Sequence, residues 1–246
     1  MKRKPIMAIA LLVLVGLLVF GALLIPRAVR RFFYPLAPPM PPVVSKSTTQ
    51  ILSELEATMK STAPQVLDQM QTGLSDEEIT TLEGQAGIRL PEEIRTLYRW
   101  RNGCRSNDPL IAGPMPGHRF VPLSEALGLL TVLSNQVSQA TVAQRAAFGV
   151  FAGHRRSWIS LFDDGCGDGY FFDPKRKPQE GAVFYSFAED GSYVFFPSLR
   201  NLLAGAVKCY EVGAFSWTNS PSGPHLEEDF NRSRNIWDEF GSSNIR

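Results

Sequence analysis

LSDEEITTLEGQAGIRLPEEIRTLYRWRNG, Leu74 to Gly103, carries two helices and the step between them. Ser75 with Glu78 three residues on has the form of a capping box, in which each side chain satisfies the other's free backbone N–H. Ile79, Leu82 and Ala86 then fall on one helical face, and Gly87 supplies a stop. Leu90-Pro91 redirects the chain, and Pro91 opens the second helix at a position that tolerates the missing N–H. Ile94, Leu97 and Tyr98 form its apolar stripe, and Asn102-Gly103 suits a left-handed helix end. Two short amphipathic helices cannot bury their faces alone, so a further layer must cover them.

Upstream, Ile51, Leu52, Leu55 and Met59 repeat at helical spacing, and Pro64 opens a short stretch with Val66, Leu67 and Met70. The interval from Cys104 to Gly149 is long enough for a second helix pair. Downstream the pattern changes. Segments near Phe148–Phe151, Trp158–Phe162, Tyr170–Phe172 and Val183–Phe187 are short and aromatic or β-branched, with Gly- and Asp-rich turns between them, and read as strands. Pro197-Ser198 then caps a helix carrying Leu199, Leu202, Leu203 and Val207. Helices first and strands later predict an α+β fold: N-terminal helices packed on a mainly antiparallel sheet with a C-terminal helix. The segment after Phe215 is polar and reads as a loosely attached tail, in which Leu226, Phe230, Ile236 and Trp237 offer a short helix something to dock with.

The 246 residues are 44% apolar and include 16 Phe, enough for a substantial core. A formal charge of +1, from 25 basic and 24 acidic residues, argues against nucleic acid as partner, because phosphate binding draws on a clustered basic surplus. Cys104, Cys166 and Cys209 are too few and too widely spaced for a disulfide framework or a paired metal motif, and read as mostly buried free thiols.

Ile6 to Ile25 reads IMAIALLVLVGLLVFGALLI, about the 20 apolar residues that a membrane-crossing helix needs. It exceeds the core of a cleavable leader, and Pro26-Arg27 follows in place of a small-x-small site. The expectation is therefore a fold preceded by one transmembrane helix, a single-pass anchor over residues 1–31. Residues 32–46 form a Pro-rich linker, PLAPPMPPVV from Pro35 to Val44, which reads as a spacer ahead of an SH3-type ligand. The globular domain spans 47–215 and the polar tail 216–246. Lys2, Arg3 and Lys4 before the helix nearly balance Arg27, Arg30 and Arg31 after it, so charge alone does not orient it. The unpaired cysteines favour a reducing compartment and hence a cytoplasmic domain.

Two blocks carry a resemblance. Glu77, Glu78, Leu82, Leu90, Pro91, Leu97, Asn102 and Gly103 resemble the opening signature of the SUKH superfamily, which includes the fungal Smi/Knr cell-wall regulators. WISLFDDGCGDGYFFDP, Trp158 to Pro174, is similar to the family's tryptophan-led strand, Asp/Gly turn and strand ending in Asp. Gly181-Ala182-Val183 and the helix start at Ser198–Leu203 continue the match in order, over roughly residues 47 to 215. The resemblance implies a mixed helix-and-sheet domain that binds other proteins. Many bacterial members neutralise polymorphic toxins, whereas the fungal ones act as scaffolds. The expected function is thus a membrane-anchored immunity protein that binds and neutralises a toxin, or alternatively a structural or regulatory scaffold at the cell envelope.

Within these blocks Asp163, Asp164, Gly165, Gly167 and Gly169 supply the turn of a hairpin. Trp158 reads first as an anchor of helices onto the sheet and second as a surface hot spot. The candidate partner-binding residues are Asp163, Asp164, Asp168, Asp173 and Trp158, the carboxylates being placed to meet a basic toxin surface. No catalytic, cofactor-binding or metal site is expected. Taking Asp164 as the first position of a calcium loop puts Cys166 at the third and Lys175 where the bidentate glutamate belongs. His118, His154 and His225 lack metal-pair spacing, and there is no nucleophile elbow or phosphate loop. No small-molecule substrate is evident.

Overall fold

The computed structural model describes residues 41–108, 110, 113–139, 158–174, 181–187, 191–221 and 223–241. All belong to one unit, Pro39–Arg246. Helix α1 (Thr48–Thr62) starts at Ser47, whose hydroxyl and the Gln50 side chain close a capping box. Pro64 at the first turn opens α2 (Pro64–Gln69), and the chain extends into β1 (Met70–Thr72). Helix α3 (Asp76–Ala86) carries the Ser75–Glu78 box read from sequence and ends at Gly87, φ 66°. Pro91 caps α4 (Glu92–Trp100) from outside its first turn. The chain beyond α4 continues as β2 (Arg101–Cys104), antiparallel to β1, so Gly103 lies in a strand and does not end the helix.

Next come β3 (Arg119–Phe120) and α5 (Leu123–Gln139), then the hairpin β4 (Ile159–Asp163) and β5 (Gly169–Asp173), then β6 (Ala182–Phe187) and β7 (Gly191–Phe196). Strands β3 to β7 form one antiparallel sheet in sequence order. Helix α6 (Leu199–Glu211), capped by Ser198, packs its buried face between α1 and the sheet. The hairpin β8 (Phe215–Ser220) and β9 (Gly223–Glu228) and helix α7 (Phe230–Phe240) complete the order.

The sheet has two faces because side chains alternate along a strand. Ile159, Phe172, Val183 and Phe196 meet the helices in the main core. Ser160, Phe171 and Phe184 are cross-strand neighbours on the opposite face, where Trp158, Phe171, Ala182 and Phe184 form a second cluster. A register shift in β4 between Ser160 and Phe162 puts both Leu161 and Phe162 into the main core, as a bulge does.

The 216–241 segment is not loosely attached. Trp237 lies with its ring centroid 5.5 Å from that of Phe196 and 5.8 Å from that of Phe215. It docks on Gly205 of α6, where an added Cβ would sit 2.6 Å from the indole. Leu226 and Ile236 are buried, whereas Phe230 is 74% exposed. The end of the proline-rich stretch is fixed as well. Asn201 accepts from Val44 N at 3.2 Å and donates to Pro42 O and Phe240 O, each at 3.1 Å, so one buried amide ties both ends of the unit together.

The α+β class and antiparallel sheet agree with the sequence reading, but the transmembrane helix and the single-pass membrane location are corrected. No helix among the described residues is long and apolar enough to cross a membrane. The longest of them, α5, has 17 residues, roughly 26 Å at 1.5 Å each against a hydrocarbon core of about 30 Å, and it carries Glu125. The stretch Ile6–Ile25 lies outside the described residues, as do His154 and the strand expected at Phe148–Phe151. The interval after Cys104 shows one described helix, α5, where a pair was expected.

Candidate functional site

The five residues singled out from sequence fall on two sides of one structural feature, the outer face of the sheet. Trp158 is 6% exposed, but it does not anchor the helices of the main core. Its ring stacks on Phe184 with centroids 4.6 Å apart, and its Nε1 donates to Asp173 Oδ2 at 2.9 Å. Asp173 therefore serves as the polar end of a buried indole.

The other three carboxylates lie at the end of β4 and in the turn that follows it. Asp164 Oδ1 accepts from Cys166 N at 2.8 Å and Asp168 N at 2.9 Å, the local bonding by which an aspartate stabilises a tight turn. Gly165 and Gly167, at φ 75° and 111°, take conformations that a side chain would resist. Asp163 Oδ1 accepts from Gly165 N at 3.2 Å, but its main partner is Arg119 of β3. Arg119 Nε reaches Asp163 Oδ1 at 2.8 Å and Nη2 reaches Oδ2 at 2.9 Å, a bidentate pair. The same guanidinium bonds both oxygens of Glu125 on α5, and its Nη1 bonds Asn107 Oδ1 at 3.2 Å.

A guanidinium has five N–H donors. Nε, Nη1 and Nη2 of Arg119 together spend all of them on Asp163, Glu125 and Asn107. Those bonds, to Glu125 above all, keep Arg119 firmly charged against its partial burial and hold the Glu125 carboxyl below its usual range. The arginine thus locks β3, β4 and α5 together and presents no remaining donor. Around it stand the carboxylates of Glu125, Asp163, Asp164 and Asp168, which leave this end of the sheet electronegative among the described residues.

Between the turn, the sheet and α5 is a cavity of about 300 Å³. Leu129, Trp158 and Phe171 give it an apolar lining, Ser160 lies on its strand side, and Arg119, Asp163, Gly165, Gly167 and Asp168 form the polar end. Leu129 is 43% exposed at the mouth. Ser160 is 2% exposed, and its hydroxyl has no hydrogen-bond partner among the described residues, an unusual state for a buried polar group.

Behind the turn, His118 bridges Pro116 O at 2.9 Å through Nδ1 and the Tyr185 hydroxyl at 3.0 Å through Nε2. Burial lowers its pKa despite the bonded carbonyl and the nearby Asp164, Glu228 and Asp163. Burial pushes the Tyr185 hydroxyl up to about 12, helped by Asp168 and Asp164. His225 lies on β9, with its ring Nδ1 3.1 Å from Gly223 O. Cys104 and Cys209 are buried and Cys166 is exposed in the turn. Among the described residues no group of three or more His, Cys, Asp or Glu side chains is placed to hold a metal ion.

The sequence reading did not single out Arg119, Glu125, Leu129, Ser160 or Phe171. Alternation along Trp158-Ile159-Ser160 carried a usable signal, since it sets the tryptophan and the serine on one face. Nothing local marks Arg119, whose two-residue strand is too short for a pattern.

A family model described as SMI1 / KNR4 family (SUKH-1) matches residues 73–205, which take in both helices of the opening stretch, the whole five-stranded sheet and the start of α6. No curated protein matches the chain.

Proposed function

This chain belongs to the SMI1/KNR4 family (SUKH-1), and from that premise we propose that it is a non-catalytic protein-binding domain of the immunity type, which neutralises a toxin by covering a basic surface on it. The observation that carries this reading is the outer sheet face, where an open, largely apolar cavity is rimmed by carboxylates around an arginine with no free donor. A protein interface combines an apolar centre with a polar rim, and complementary charge steers the encounter. Surfaces that bind or cut nucleic acid are basic, so an electronegative face suits such a toxin.

The non-catalytic part of the proposal draws on the state of the reactive side chains. Burial pushes the Cys104 thiol up to about 11 and that of Cys209 higher still, so neither supplies a thiolate near neutrality. His118 has both ring nitrogens engaged and is driven toward its neutral form.

Co-expression tests the proposal. A toxin gene adjacent to the gene for this chain is induced with and without it. The proposal expects restored growth with the chain and none with a Leu129→Lys variant of equal abundance, whose added cation opposes a basic partner. Failure of the wild-type chain to protect would refute it, and the scaffold reading would then take its place.

A further inference from the structure

We infer that the cavity on the outer sheet face receives one large apolar side chain of the protein partner, a ring flanked by basic residues. This deepens the proposed function and rests on it for the partner being a protein, whereas the chemistry of the cavity stands by itself.

The occupant follows first from what the lining leaves over. Arg119 gives all its donors to Asp163, Glu125 and Asn107, so an entering anion finds none there. Asp163 in turn is held by that guanidinium and by Gly165 N, and the Trp158 indole N–H by Asp173. Asp168 is engaged as well, and the Ser160 hydroxyl is enclosed, with almost no accessible surface. A charged tip pushed into the cavity would shed its water with no lining side chain free to replace it, which makes its burial unfavourable. An apolar tip has no such bonds to lose.

Size and lining narrow the class of apolar group. Leu129 contributes an exposed wall, and Trp158 and Phe171, both nearly buried, contribute aromatic carbon. A volume of about 300 Å³ exceeds the ~150 Å³ of an apolar cavity that takes up benzene, so a six-membered ring enters together with its stem. A helix or strand of the partner does not fit. A ring that meets Trp158 or Phe171 edge-on or offset gains more than its buried area alone supplies.

Charge then selects what stands beside the ring. Hydrogen bonding occupies the lone pairs of the carboxylates here and leaves their charge. Glu125 and Asp163 set two negative charges against the one on Arg119, and Asp164 in the adjoining turn adds a third. The Glu125 side chain is 49% exposed, so its field reaches the rim. A partner that offers the ring between lysines or arginines is drawn in, and one that offers it between acids is repelled.

The test uses the full-length chain labelled with ¹⁵N and three peptides, each acetylated and amidated: Lys-Phe-Lys, Lys-Ser-Lys and Glu-Phe-Glu. The expected result is saturable shifts with Lys-Phe-Lys at the Trp158 indole N–H and the Leu129, Gly165 and Phe171 amides. Lys-Ser-Lys should bind at least tenfold more weakly, because it lacks the ring. Glu-Phe-Glu should bind at least threefold more weakly, and added sodium chloride should narrow this second gap while leaving the first. Leu129→Ala, which removes the exposed wall, should weaken Lys-Phe-Lys at least threefold with the rest of the spectrum in place. Silence toward Lys-Phe-Lys at these residues, equal binding of Lys-Ser-Lys or of Glu-Phe-Glu, or unchanged affinity in Leu129→Ala would each overturn the inference. The two claims fail separately. A toxin neutralised by a chain that ignores Lys-Phe-Lys removes the receptor and keeps the function. Saturable binding of Lys-Phe-Lys by a chain that protects against no toxin does the reverse.

Discussion

Gly87 and Gly103 make a controlled pair for testing how the opening helices are held. Both are left-handed, at φ 66° and 71°, so alanine meets the same backbone resistance at either site. That resistance is about 1–2 kcal/mol for a non-glycine residue in this region. At Gly87 nothing lies within 4 Å of the added Cβ, so Gly87→Ala should cost about 1 kcal/mol and little more. At Gly103 the Cβ would fall 2.4 Å from Pro122 N, 2.7 Å from Pro122 Cα and 2.8 Å from Val121 C. All are backbone atoms, and separating them to ordinary contact requires a shift of about 1 Å. That shift would strain the Tyr98 hydroxyl bond to Val121 O at 3.1 Å and the Leu123 N bond to Asn102 Oδ1 at 3.0 Å. With about 1 kcal/mol for each bond and about 1–3 kcal/mol for overpacking, Gly103→Ala should cost about 4–6 kcal/mol. Urea denaturation of the full-length chain, followed by tryptophan fluorescence, measures both. Equal losses for the two variants, or a Gly103→Ala loss near 1 kcal/mol, would refute the reasoning.

Further outcomes follow from the site. Trp158→Ala should lose about 3–5 kcal/mol in the same denaturation, because it removes a buried ring stacked on Phe184 and the indole bond to Asp173; a negligible change would place the indole outside the packed cluster. Arg119→Ala leaves Asp163 and Glu125 facing each other and should cost about 2–4 kcal/mol, less than a fully buried pair because Glu125 is half exposed; Arg119→Lys should recover only part of it. His118, with its folded pKa lowered, contributes stability that is complete above the unfolded value near 6.5 and is lost as pH falls below it. Between pH 7.5 and 5 the wild type should therefore lose stability more steeply than His118→Asn, and parallel pH profiles would exclude that histidine as the cause.

The legible parts of the fold were those with local chemistry. Ser75 and Glu78 are three residues apart, and the box they form depends on nothing distant. The turn between β4 and β5 was equally visible, since its aspartates and glycines satisfy their own backbone. Features made by distant partners were not. Asn201 is one polar residue in a helix until Pro42, Val44 and Phe240 arrive at it. The tail read as loose because Leu226, Ile236 and Trp237 are sparse in a polar segment, and only Gly205 of α6 makes room for the indole. At the site the unread part had the same origin. The four carboxylates were visible in sequence but their commitments were not: Asp164 turns the chain, Asp173 accepts from an indole, and Asp163 is clamped by an arginine 44 residues away.

The central claim is that this face of the sheet is where a partner is bound. Isothermal titration of the full-length chain against the toxin from which it protects decides it, comparing wild type with Leu129→Lys. Leu129 is 43% exposed and lines the cavity, so the substitution adds a charge without disturbing a core. Setting that ammonium against a basic partner surface should weaken binding at least tenfold, or about 1.4 kcal/mol, with the unfolding midpoint unchanged. Wild-type affinity in the Leu129→Lys chain would contradict the account and move the interface elsewhere on the domain.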